Sequence, residues 1–303
     1  MVPVTGRYFN QFSDPAQAQR AEIVRKNKRR SAPIIDEHKD EGATPSAIFI
    51  PQQLPPLDPA KRPYSPDVKP QIQVVNSDTF LAVRELMNAI GDDAKSGTAV
   101  LNLASDEVPG GGYTSLHTAQ ASHIDVDVEE CLCYSSTLYH TLDPLTKHYP
   151  WPNKGPDSIK GIYSPGVVIF RGPLHGSSTS EFCPELPSTE RKIVSIITVA
   201  APRYPLLTPD RLDFKNPSDK EDLREKVRLI LRMAGSNGQK YLVLGALGCG
   251  AYRCPPSSVA RDMKSVLEEP EFAGWFKRIL FAVYSSQSVG HGNFDIFKQV
   301  FES

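Results

Sequence analysis

The 303-residue chain reads as an α/β fold with a mixed or mostly parallel β-sheet, and three observations predict it. From about Ile72 onward, short β-branched apolar runs alternate with longer segments of helical periodicity, the pattern of strands joined by helices. The runs VLNLA, VVIF, IVSIITVAA, YLVLGAL and ILFAV are almost continuously apolar, as strands covered on both faces must be. Two glycine clusters, GGG at 110–112 and GALGCG at 245–250, each follow such a strand and precede a helical segment.

Taken in order, PAQAQRAEIVRKNKRR predicts a short polar helix ending in the cations Lys26, Lys28, Arg29 and Arg30. A solvated helix end accounts for that cluster, as would a phosphate contact or a nuclear address. Residues 31–70 are Pro-rich and irregular, which predicts an extended arm or linker. IQVVN is a strand. DTFLAVRELMNAIGDD is an amphipathic helix with Leu81, Val83, Leu86, Met87 and Ile90 at helical spacing. GTAVLNLAS is a buried strand, EECLCYSSTLYHTL a helix, and GVVIFRG and KIVSIITVAA are further strands. The helix DLREKVRLILRMAGSNG leads to the strand KYLVLGAL, the helix SSVARDMKSVL to the strand ILFAVYS, and NFDIFKQVFES closes the chain as an amphipathic helix. The division expected is an N-terminal helical segment and Pro-rich arm over 1–70, then a single domain over 71–303.

A 40% hydrophobic content suffices for a sizeable core, and a net charge of −1 supplies no whole-protein field for nucleic acid or an anionic membrane. Neither is expected as a direct partner. Cys131, Cys133, Cys183, Cys249 and Cys254 are odd in number and form no CxxC pair, so neither a disulfide framework nor a zinc site is signalled. A reducing compartment, cytoplasmic or nuclear, fits this usage. The N-terminus carries no apolar signal-like run, and no segment reaches membrane-spanning length.

Glycine-rich strand-to-helix turns free backbone N–H groups, and two of them at the carboxyl ends of strands make a cradle suited to a diphosphate. Each alone is equally a tight turn. Neither matches a P-loop, since Tyr113 follows Gly112 and Ala251 follows Gly250, and GxGxxG is absent. Glu129 and Glu130 open the helix after the first cluster. On a helix they point about 100° apart, so one would orient a sugar hydroxyl while the other reaches the reacting bond. Acidic residues in a first turn also simply favour the helix dipole. A carboxyl in a desolvated cleft can hold a proton at neutral pH and serve as general acid, then base. Cys249, between two glycines near a helix start, is either an activated thiol or a small buried residue of the loop.

The ordered segments VLNLASDEVPGGGY, EECLCYSSTLY, LGALGCGAYRCPP and ILFAVYS resemble the microbial, bacterial-type branch of the poly(ADP-ribose) glycohydrolases, built on a macrodomain core. Matching segments run from about Ile72 to the C-terminus, and the short basic helix is similar to the family's N-terminal accessory segment. The resemblance implies a macrodomain-like mixed sheet sandwiched by helices, binding ADP-ribose without cofactor or metal, and a monomer is expected. It implies that Gly110, Gly111 and Gly112 surround the terminal ribose, that Glu130 is the catalytic acid/base, and that Glu129 positions the ribose. Gly248, Cys249, Gly250, Ala251 and Tyr252 match the diphosphate loop, with Tyr252 against the ribose region. Asp78 stands where macrodomains use an aspartate for the adenine amino group, although NSDT is also an ordinary helix cap.

The chain departs from that family where relatives place a Gln directly before the two glutamates. Here Gln120 is separated from them by ASHIDVDV, and Val128 precedes Glu129. Val108 replaces an Asn common two places before the glycines. Asp125 and Asp127 are either solvated loop charges or contacts to a cationic leaving group such as a modified arginine, and His117 and His123 are expected to be exposed. Three functions are therefore carried forward. The first is a hydrolase cleaving the C1″ glycosidic bond of ADP-ribosyl groups on polymer or protein. The second releases single ADP-ribose units from side chains such as arginine. The third is a non-catalytic ADP-ribose reader.

Overall fold

The computed structural model of the protein describes residues 15–115, 128–173, 183–285 and 292–302. Its strands are β1 (Ile48–Ile50), β2 (Gln71–Val75), β3 (Thr98–Leu103), β4 (Gly161–Ile169), β5 (Lys192–Val199), β6 (Tyr241–Leu244) and β7 (Arg278–Ala282). They form one sheet in the order β1-β4-β5-β3-β6-β7-β2. Five neighbouring strands, from β5 to β2, are parallel, whereas β4 is antiparallel to both β5 and β1. The predicted mixed sheet is present, and its antiparallel part is confined to one edge.

Period-two alternation divides each parallel strand between two cores. Ala99, Leu101, Ile279 and Phe281 enter one cluster with Leu223, Val227, Val259, Met263 and Phe297. Val100, Val243 and Leu280 enter the other with Phe80, Leu86, Leu132 and Leu138. The first face is covered by α5 (Pro217–Ser236), α6 (Pro256–Leu267) and α7 (Asn293–Glu302), and the second by α1 (Pro15–Glu37), α2 (Thr79–Ile90), α3 (Val128–Ser135) and α4 (Leu138–Leu142). Among the described residues no helix is long and apolar enough to cross a membrane.

Four expectations are corrected. The Pro-rich arm is packed: β1 joins the sheet through β4, and Leu57 reaches the core beside Gly235, where a Cβ would lie 2.6 Å from it. The basic helix runs on to Glu37, and Ile34, Ile35 and Ala43 form a small core with Val168 and Phe170. The helix expected over 129–142 is broken at Ser136 and Thr137, because these residues pair with β4: Thr137 N–H donates to the Val168 carbonyl, and Val168 N–H donates to Thr137 Oγ1. In α2 the buried face uses Phe80, Ala82, Val83, Leu86 and Met87, leaving Leu81 38% exposed.

Candidate active site

The five parallel strands end at one edge of the sheet, where ligands bind in open α/β folds. β3 runs into the glycine loop of 104–113, β6 into 245–252, β7 into 283–285 and β2 into 76–78. Glu129 and Glu130 occupy the first turn of α3, which packs over the end of β3.

Glu129 is 2% exposed. Its Oε1 accepts from Asn102 Nδ2 on β3 at 3.0 Å, and its Oε2 accepts from Ser105 N–H at 2.7 Å. Burial raises its pKa from 4.5 to about 8, with the Glu130 charge adding to the rise and the Ser105 and Asn102 hydrogen bonds opposing it. Glu130 is also buried, and its Oε1 accepts from Gly112 N–H at 2.5 Å.

Gly110 and Gly111 lie at φ +73° and +54°, in the left-handed region that favours glycine. A Cβ on Gly111 would stand 2.5 Å from Glu130 Oε1 and 3.2 Å from Glu129 Oε2. The 100° divergence expected of adjacent helical residues is therefore overcome by side-chain length, and both carboxyls reach the same point beneath the loop. Only a residue without a side chain lets the backbone lie there.

The second loop turns at Gly248, φ +76°, where a Cβ would fall 2.5 Å from the Ala201 Cβ. Leu247 and Cys249 N–H groups close turns within the loop. Those of Gly250, Ala251 and Tyr252 donate to no acceptor among the described residues, leaving three adjacent donors at an exposed turn, the arrangement an anion needs. Cys249 is half-buried, with Sγ 3.8 Å from the Leu247 carbonyl oxygen. Burial pushes its thiol well above the usual range, which disfavours the thiolate that a nucleophile needs.

The Tyr252 hydroxyl donates to Asp106 Oδ1 at 2.5 Å and accepts from Asp106 N–H at 3.1 Å. Asp106 is 2% exposed, and Arg203 lies 3.4 Å from its other oxygen. This clasp ties the loop after β6 to the loop after β3. Asp78, at the end of β2, caps α2 by accepting from Leu81 N–H at 3.0 Å. Between it and the β6 loop, Tyr284 stands 65% exposed at the end of β7.

Sequence reasoning missed Asn102, Asp106 and Tyr284. A lone Asn inside the apolar run VLNLA is a legible signal for the first, and an aromatic just past a strand for the last. Asp106 carries none, because its partner is 146 residues away. Asp125, Asp127, Gln120, His117 and His123 lie outside the described residues. Among the described residues no group of His, Cys, Asp and Glu could hold a metal ion, and no disulfide joins the five cysteines.

Residues 12–172 match the family described as microbial-type PARG, catalytic domain, where PARG denotes poly(ADP-ribose) glycohydrolase. Among solved structures, the poly(ADP-ribose) glycohydrolase of Thermomonospora curvata is 26% identical with a TM-score of 0.69, over 94% of this chain and 99% of that one. The same enzyme bound to the inhibitor ADP-HPD is 27% identical, with a TM-score of 0.67 over the same shares. The Deinococcus radiodurans enzyme in complex with ADP-ribose is 31% identical, with a TM-score of 0.60 over 80% of this chain and 87% of that one. No match was found among curated proteins.

Proposed function

The chain belongs to the microbial-type poly(ADP-ribose) glycohydrolase family, and from that premise we propose how its own residues hold ADP-ribose and cleave the bond at C1″. One observation carries the reading. The strand order β3-β6-β7-β2 lines up the glutamates, the loop whose Gly250, Ala251 and Tyr252 N–H groups have no acceptor among the described residues, exposed Tyr284 and Asp78 in a row. Three strand spacings make that row about 14 Å long. Terminal ribose, diphosphate, second ribose and adenine follow one another in the same sequence along ADP-ribose.

The ribose lies against Gly110, Gly111 and Gly112, over both carboxyls. The diphosphate takes the N–H groups of Gly250, Ala251 and Tyr252, with Gly248 and Cys249 shaping the turn. Adenine meets the Tyr284 ring, with Asp78 beside its amino group. Glu129, held by Asn102 and Ser105, meets the ribose hydroxyls.

Glu130 protonates the leaving oxygen as the C1″–O bond breaks through an oxocarbenium-like state. It then takes a proton from water as the water oxygen bonds to C1″, which returns the carboxyl to its starting form. The released ADP-ribose carries the new hydroxyl. Binding of the diphosphate and adenine, away from the reacting carbon, sets the geometry of that carbon.

The test is ADP-ribose release from an automodified poly(ADP-ribose) polymerase and from a singly arginine-modified protein. Wild type should degrade polymer, and Glu130→Gln should lose about 10²–10⁴-fold in rate while still binding ADP-ribose. Release from the arginine substrate alone would move the assignment to single-unit removal. Binding without release from either substrate would make the protein a reader.

A further inference from the structure

Because β3 is flanked by β6 on one side and β5 on the other, ADP-ribose running from β3 towards β2 leaves the loop after β5 beyond the scissile bond. Whatever departs from C1″ departs towards that loop. That loop carries an exposed aromatic, Tyr204, 57% exposed.

Tyr204 is held in the left-handed region, at φ +48°, and so is Arg253, at φ +59°. Non-glycine residues rarely stand there. Tyr204 N–H donates to the Tyr252 carbonyl oxygen at 2.9 Å, and Lys154 Nζ lies 3.4 Å from the Tyr204 carbonyl oxygen. The Tyr204 ring is 6.5 Å from that of Tyr252, and the Arg253 guanidinium sits 5.6 Å from the Tyr204 ring centroid. Arg253 forms no ion pair among the described residues. A π surface and a cation are thus fixed side by side, one ring outward from the residue that clasps Asp106.

We propose that Tyr204 and Arg253 form a subsite for the leaving group of the polymer reaction, the adenosine of the neighbouring ADP-ribose unit. This rests on the polymer-cleaving reading above. In the polymer, C1″ of one unit is bonded to the 2′-oxygen of the next unit's adenosine, so that unit's adenine sits on the ribose carbon next to the one that bears the departing oxygen. The Tyr204 ring stacks on this base, and the Arg253 guanidinium meets the base face or the attached diphosphate. The subsite adds affinity for chains of two or more units and none for a lone ADP-ribose.

The experiment compares turnover of purified poly(ADP-ribose) and of nitrophenyl ADP-ribose, whose leaving group has no adenosine, together with the Kd for ADP-ribose. Tyr204→Asn removes the ring while tolerating the left-handed backbone, Tyr204→Trp keeps an aromatic face, and Arg253→Gln removes the charge. For Tyr204→Asn, kcat/KM on polymer should fall about tenfold while nitrophenyl turnover and ADP-ribose binding stay within about twofold, with the loss recovered by Trp. Arg253→Gln should show the same selectivity. Equal losses on both substrates would place Tyr204 in the ribose pocket and overturn the subsite, as would unchanged polymer turnover. A wild type that binds ADP-ribose but does not cleave polymer would instead bring down the underlying function.

Discussion

The Gly112 N–H donates to Glu130 Oε1 at 2.5 Å, so the glycine loop is docked on that carboxyl. The loop and the acid are one unit, and shifting either displaces the other. Gly111→Ala places a Cβ 2.5 Å from the same oxygen at φ +54°, which breaks the docking without touching the core. A misplacement of about 1 Å at a reacting group can cost about a hundredfold in rate. ADP-ribose release by Gly111→Ala should fall at least that far while the far-ultraviolet circular dichroism stays unchanged. Near-normal turnover would separate the loop from catalysis.

Glu129 makes stability depend on pH. Its folded pKa of about 8 stands above the ordinary 4.5, so between these values the folded chain holds a proton that the unfolded chain has lost. Stability from this group is complete below about pH 4.5 and is lost as pH rises through about 8, an effect of the order of several kcal/mol at most. Glu129→Gln should flatten that slope and gain stability relative to wild type at pH 8. Buried Lys226, its ammonium lowered to about 8 by desolvation, acts with opposite sign above that pH, and subtracting the two urea-midpoint profiles cancels it. Parallel profiles from pH 5 to 8 would mean Glu129 stays ionised.

Tyr252 and Asp106 share two hydrogen bonds across two loops. Tyr252→Phe keeps the ring and removes both, leaving a carboxylate that is 2% exposed with Arg203 as its remaining charged partner. The expected cost is about 1–3 kcal/mol. The weakened clasp should raise KM more than it lowers kcat. Asp106→Asn combined with Tyr252→Phe should be clearly less damaging than the sum of the two. Simple additivity in a double-mutant cycle would sever the link.

The parallel sheet was legible because strands buried on both faces are written as apolar runs, and VLNLA or YLVLGAL can hardly be anything else. The glycines were legible as turns, but their reason was not: Gly111 is dictated by carboxyls 18 and 19 residues further on. What escaped is what depends on partners distant in sequence. The Pro-rich stretch hides β1, whose three residues pair with β4 more than 100 positions away. A polar break inside a helical pattern hides a bridge to that same strand at Ser136. Asp106 reads as loop polarity until Tyr252 stands against it.

The basic helix α1 is tied to α3 by Asn27. This side chain is 2% exposed. Its Nδ2 donates to the Tyr134 and Cys133 carbonyls at 2.8 and 3.3 Å, near the C-terminus of the helix whose first turn bears Glu129 and Glu130. Its Oδ1 accepts from Arg171 Nε at 2.8 Å, and Arg171 is itself buried. Asn27 thus caps the Cys133 and Tyr134 carbonyls at the end of α3, as Ser136 Oγ caps that of Leu132 at 2.7 Å. Asn27→Ala strands a buried guanidinium N–H and helix-end carbonyls together, and should destabilise the fold by about 2–3 kcal/mol. On the proposed mechanism, with Glu129 and Glu130 at the other end of α3, kcat should fall while the Kd for ADP-ribose changes little. Urea unfolding and turnover measured on one preparation check both halves. Full stability with full kcat would show that α1 merely covers the domain.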